Sequence, residues 1–470
     1  MKYLHIIYTL LFGVAVFLFF GLAYPHHLHY QEQYQLFLFD SNYVWDVVKQ
    51  PGGIADLLGR FCTQFFLFAW VGAAIIAVLL SAVQLLTFRL ANYSLSTILY
   101  PLSFVPSFLL WIFLLDENAL LGGVWAVLLT QLAIWGLLQI PKGWLQLVAF
   151  IVAIPMLYWV AFGGSHYYRY PTVVPWLLYA AWLLAVVPPF IRHRGQIRHR
   201  EHRGDRGHRG KNSSTRQLVN SSTISILLCV LCLLCGLCVV WKTSNLKAEK
   251  VMQYDFMACH QQWNRILETV NAEKPNNQIG VTVQNLALAM HGKLLDHMFD
   301  YNQNGIAGLL PDVKTDATSP LPTAEAFYQL GMINVAQRTV FEAQEAILDF
   351  QKSGRCYKRL AQTNLINGNY EVARKYLTAL QKTLFYLDWA NETLPLLGNE
   401  EAIAKHPEYG RLRQSAFKED FYFSDHVTAE MLESLYFSNT DNRLAYQYLL
   451  AYYMLTGDRE GYNNFISKQR

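Results

Sequence analysis

Residues 24–40 read YPHHLHYQEQYQLFLFD and gather His26, His27, His29, Glu32 and Asp40 among aromatic side chains, with Asp46 six positions further on. Carboxylates set beside rings at a membrane edge suit one kind of chemistry, a general base or a stabiliser of developing positive charge acting on a substrate carried in the bilayer. Asp40, Glu32 and Asp46 are therefore the candidate catalytic residues. In a second stretch, GGSHYYRYP, His166 and Arg169 are candidate substrate-binding residues, able to hold a pyrophosphate. His26, His27, His29 and Glu32 supply donors a metal could use, but they read as a solvated interfacial cluster. No metal site is assigned, and no cofactor is indicated.

The elements that must position these groups follow from the distribution of apolar residues. The chain is 53% hydrophobic and only 15% charged, too apolar on average for a soluble protein, and most of the excess precedes residue 243. Seven apolar runs, 4–23, 62–86, 97–115, 120–139, 144–162, 172–190 and 223–241, each approach the ~20 residues a helix needs to cross a ~30 Å hydrocarbon core. Backbone groups there must be satisfied internally, so the runs are expected to be helices. The first exceeds a signal-peptide core in length and lacks a convincing cleavage site, and reads as an uncleaved span.

Charge orients the bundle. Lys2, Arg89, Lys142 and the basic stretch after residue 190 fall in one set of loops, whereas Glu32, Asp40, Asp46, Asp56 and the DEN at 116–118 fall in the other. That asymmetry predicts an inner-membrane protein with a cytoplasmic N-terminus, and seven spans put the C-terminal region in the periplasm. Residues 191–220 hold eight Arg, one Lys and two acids, net +7, against +4 for the whole chain, so the rest of the chain is net negative. A basic loop before a last span orients that span; without interleaved aromatics it does not suggest nucleic-acid binding. The last span contains Cys229, Cys232, Cys235 and Cys238, whose steps of three turn the sulfurs around the helix rather than onto one metal. Cys259 and Cys356, downstream, are the residues that an oxidising compartment would allow to pair.

The chain therefore divides into a transmembrane bundle, 1–242, with an external loop at 24–61 and a basic cytoplasmic linker at 191–220, and a soluble helical region, 243–470. In the latter, Gly292, Gly331, Gly368 and Gly457 punctuate helix-period stretches, the first three 39 and 37 residues apart. That spacing is near the period of helix-turn-helix arrays. The unit YKRLAQTNLINGNYEVARKYLTAL resembles a tetratricopeptide repeat, and residues 444–465 look like a degenerate last one. Residues 301–325, polar and rich in Gly and Pro, read as a long loop. In the external loop, a helix over 26–40 would present His26, His29, Glu32, Gln33 and Asp40 as one wet stripe and lay its rings in the headgroup zone, before PGG at 51–53 breaks the chain.

Over the whole chain, including HLHYQEQYQLFLF and CYKRLAQTNLINGNYEVA, the sequence resembles an uncharacterised family of Gram-negative multi-pass membrane proteins with a tetratricopeptide-like C-terminal region. That resemblance implies architecture alone. The plan of residues 1–242 is also similar to membrane-embedded glycosyltransferases that use polyprenyl-phosphate sugars, although those enzymes show an acidic pair with one intervening residue where Asp40 and Asp46 are six apart. The expected function is an all-α membrane scaffold of cell-envelope assembly, in contact with lipid and holding a periplasmic protein or peptide; the alternative is a transferase taking a polyprenyl-phosphate sugar. Transport is disfavoured, because the spans hold no charged residue at mid-membrane.

Overall fold

The computed structural model describes residues 4–94, 97–141, 143–162, 173–193, 213–312, 320–347, 351–417 and 428–469. His166, Arg169 and most of the basic linker lie outside them. Every regular element among the described residues is helical. The chain divides into two compact units, Met1–Glu32 with Asp40–Leu246, and Gln33–Phe39 with Lys247–Arg470.

The first unit contains α1 (Leu4–Leu18), α2 (Pro25–Glu32), α3 (Ser41–Val48), α4 (Gly53–Thr63), α5 (Ala69–Ser94), α6 (Val105–Phe113), α7 (Gly122–Leu138), α8 (Trp144–Leu157), α9 (Val173–His193) and α10 (Ser213–Thr243). Among the described residues, four helical stretches are long and apolar enough to cross a membrane: His5–Ala23, Ala69–Ala91, Trp144–Ala161 and Ile226–Thr243. Tyr100–Phe113, Gly122–Leu138 and Val174–Leu184 are apolar but shorter. The run at 62–86 does not form one helix from its start: Gln64–Leu67 tighten into a 3₁₀ turn and Phe68 is extended, so the long helix begins at Ala69.

Aromatic packing and a buried polar stripe join these helices. Phe12 meets Phe108 and Trp111 edge-on at 5.2 and 5.8 Å, and Phe108 stacks on Trp111. Gln84, fully buried on α5, accepts from Thr9 Oγ1 of α1 at 2.7 Å and donates to Ser103 Oγ at 2.8 Å, while Ser107 donates to the Leu80 carbonyl. An apolar surrounding gives a lone amide no alternative partner, so such bonds fix which helix faces meet. At the crossing of α4 and α7, a Cβ on Gly59 would lie 2.4 Å from the Gly122 nitrogen, so glycine is what lets the two backbones approach.

The stretch 26–40 is helical only as far as Glu32, which corrects the expected continuous interfacial helix. Of the expected wet stripe Glu32 is buried, whereas His26 and His29 are half-buried; off the stripe, His27 and Gln31 are buried, with His27 Nε2 2.9 Å from the Leu114 carbonyl and Gln31 donating to the carbonyls of Asp116 and Ala119. Beyond it Gln33 and Tyr34 form a turn and residues 35–39 have no regular structure; the segment belongs to the second unit, where Leu36 and Phe39 find backbone partners that a helix would have supplied locally. The break at PGG is present, with Gly52 in the left-handed region at φ 73° before α4.

The second unit contains α11 (Leu246–Cys259), α12 (Trp263–Glu273), α13 (Gln278–Met290), α14 (Leu294–His297), α15 (Pro320–Leu330), α16 (Ile333–Ala346), α17 (Gly354–Ile366), α18 (Tyr370–Leu380), α19 (Leu387–Thr393), α20 (Glu400–Lys405), α21 (Pro407–Ser415), α22 (Thr428–Ser438), α23 (Arg443–Thr456) and α24 (Arg459–Lys468). Gly331, Gly368 and Gly457 each sit at positive φ between paired helices, as Gly292 does between α13 and α14. This is the conformation in which a helix ends and the chain reverses without a Cβ penalty. Part of the stretch read as a loop at 301–325 is helix, because Pro320 opens α15 at a position where a missing N–H costs nothing. Before it, Gln303 and Asn285 exchange side-chain hydrogen bonds and Asn302 donates to the Lys274 and Pro275 carbonyls, so side chains pin the irregular backbone.

Candidate functional site

The residues named from sequence occupy three different environments. Asp40 is the N-cap of α3, its Oδ1 accepting the backbone N–H groups of Asn42 at 3.0 Å and Tyr43 at 3.2 Å. Asp46 makes an exposed ion pair with Lys49 at 2.5 Å on the same helix. Glu32 is buried at the end of α2. His166 and Arg169 lie outside the described residues. Among the described residues no three His, Cys, Asp or Glu side chains gather as metal ligands. Cys229 is buried and Cys235 and Cys238 are exposed, so their helix presents them to different surroundings; Cys259 and Cys356 are free thiols.

A carboxylate the sequence reading passes over is better held. Asp56 Oδ2 accepts from Arg60 Nε at 3.0 Å and Nη2 at 2.7 Å, with the two side chains only 9% and 12% exposed. Arg60 Nη1 also reaches the Tyr43 hydroxyl at 3.5 Å. Burial pulls the guanidinium down, but Asp56 and Tyr43 more than reverse this and hold it above its ordinary value. The Tyr43 phenol is pushed up by burial, against the pull of Arg60. The signal was present as Asp and Arg four apart in IADLLGRF, which puts both on one helix face.

In the second unit, α17 brings Arg355, Lys358, Arg359 and Gln362 to one face, since positions 3, 4 and 7 apart share a side of a helix. Arg355 donates bidentately to Asp255 of α11 at 2.5 and 2.8 Å. Arg359 Nη2 donates to Glu325 of α15 at 2.5 Å, and its Cζ lies 3.6 Å from the centre of the Tyr328 ring. Glu325 also accepts from Gln329 at 3.0 Å, whose own side-chain oxygen accepts from Arg411 of α21 at 2.8 Å. Lys358 Nζ stands 5.1 Å over the Trp389 ring. Buried ion pairs of this kind set geometry more than they add stability.

Beside this face lies the non-helical segment 33–39. The Gln33 side-chain oxygen accepts from Arg355 at 3.4 Å, Leu36 N–H donates to the Lys352 carbonyl at 2.8 Å, and Phe39 N–H donates to the Lys382 carbonyl at 2.6 Å. Those carbonyls lie just before α17 and just after α18, so the segment crosses the end of the helix pair opposite its Gly368 turn. Leu36 is buried with Ala361, Leu377, Leu380 and Ala390. Main-chain bonds plus an alternate side chain in an apolar cleft are the means by which proteins hold extended peptides. No curated protein and no solved structure matches the chain. A family model described as a family of unknown function, DUF6057, matches residues 1–470, and the chain belongs to that family.

Proposed function

We propose that this is a polytopic inner-membrane protein that presents residues 243–470, a tetratricopeptide-like helical-repeat region, in the periplasm, where it holds a protein or peptide partner as a scaffold of cell-envelope assembly. The observation that carries this reading is the seating of residues 33–39, because it is a non-helical segment held by this helical unit through backbone bonds and a leucine cleft. The apolar helices and the net +7 linker are consistent with membrane residence and with a cytoplasmic loop.

A second reading, the polyprenyl-phosphate-sugar transferase, is favoured by the buried Asp56–Arg60 pair beside Tyr43. Its other carboxylates suit it less, since Asp40 caps a helix and Asp46 is exposed.

Reporter fusions test the placement. Seven crossings put residue 300 opposite the N-terminus, whereas four crossings put both on one face. Fusions at residue 205 are expected to report cytoplasm and those at residue 300 periplasm; a cytoplasmic residue 300 overturns the periplasmic scaffold.

A further inference from the structure

At the charged face of α17, where α15 packs, two hydrogen-bond donors have nothing to donate to among the described residues. Tyr328 is fully buried, and its hydroxyl has no partner among the described residues; the same holds for Arg359 Nη1. The two belong to one stack, with the guanidinium lying on the phenol ring at 3.6 Å. Buried donors left unpaired are costly, so each is expected to find an acceptor.

Charge specifies that acceptor. Arg355 is matched by Asp255 and Arg359 by Glu325. Arg411 is bonded to the neutral Gln329, and Lys358 rests on Trp389 with no carboxylate in ion-pair range among the described residues. Glu408, whose charge is felt at Lys358, Arg411 and Tyr328, offsets only one of these two cations. One positive charge is left over. A dianion would overcompensate it beside Glu325 and Glu408, whereas a single carboxylate balances it and offers planar lone pairs to both donors.

We propose that Tyr328, Lys358 and Arg359 form a binding site for one carboxylate group, the acidic side chain or chain end of a peptide. This deepens the partner-holding reading and rests on it for the identity of the peptide, though not for the existence of the site. Burial lowers the Lys358 ammonium from its ordinary value, as expected of a cation short of a bound counter-ion.

The test uses the purified full chain in detergent, with sodium acetate as probe against inorganic phosphate and sodium chloride at matched ionic strength. Acetate is expected to raise the melting temperature and to broaden the methyl resonance of labelled acetate. Tyr328→Phe, which keeps the ring, and Lys358→Met should each weaken both effects about tenfold, while Arg338→Gln at an exposed ion pair leaves them unchanged. Equal responses to all three anions, or to acetate in all variants, overturn the site; a preference for phosphate overturns the carboxylate. Should Lys358→Met fail to fold, Tyr328→Phe decides alone. Acetate binding without a captured partner would count against the scaffold only, and a captured partner without acetate binding against this site only.

Discussion

At Asp40 one carboxylate oxygen receives two backbone N–H groups, which accounts for an acid at that position without any reaction. Asparagine caps as well as aspartate, and alanine does not. Asp40→Ala is therefore expected to lower stability by about 1 kcal/mol in thermal melts of the full chain, and Asp40→Asn to be nearly neutral. Loss of function in Asp40→Asn at normal abundance would instead restore the catalytic role. The sequence displays the residue types of these sites but not their partners. Asp56 and Arg60 are four apart and could be paired by eye, and Arg355, Lys358 and Arg359 lie visibly on one face; that Asp255 and Glu325 answer two of them depends on contacts far along the chain.

At the scale of elements, the glycine punctuation was the most legible feature, because a reversed turn between helices needs positive φ and Gly368 and Gly457 supply it. The apolar runs were equally plain, although composition could not show that Gln64–Leu67 and Phe68 interrupt the second. The segment 33–39 was illegible for a definite reason. Leu36, Phe37, Leu38 and Phe39 are all apolar, so no period distinguishes helix from extended chain, and its partners are hundreds of residues away, as with Gln33 and Arg355. Its seating depends on Leu36. Leu36→Ala removes buried contact of a kind that costs about 2–5 kcal/mol. Limited proteolysis by an enzyme that cuts after aromatic residues should then cleave at Phe37 and Phe39 faster than in the parent chain; an unchanged rate would show that the leucine does not hold the segment.

At the scale of the whole molecule, the second unit buries several phenols. Burial holds Tyr254, Tyr328, Tyr448 and Tyr453 above their ordinary value of 10.0, so above about pH 10 the unfolded chain loses protons that the folded chain keeps. The stability these groups contribute is fully present below that pH and is lost as pH rises from there through their raised folded values. Lys358, lowered by burial, acts in the opposite sense just below its unfolded value of 10.5, but it is one group against several. Melting temperature is expected to fall steeply above pH 10, together with the appearance of tyrosinate absorbance; ionisation well before unfolding would mean the phenols are accessible to water. The partner-holding role itself is tested most directly in living cells, by a photo-reactive residue introduced at Phe341 or Val372, both about half exposed in the second unit. Irradiation is predicted to yield a discrete adduct with one envelope protein from these positions and none from Trp144 in the first unit. Normal abundance of the labelled chain with no protein adduct from either position would contradict the scaffold.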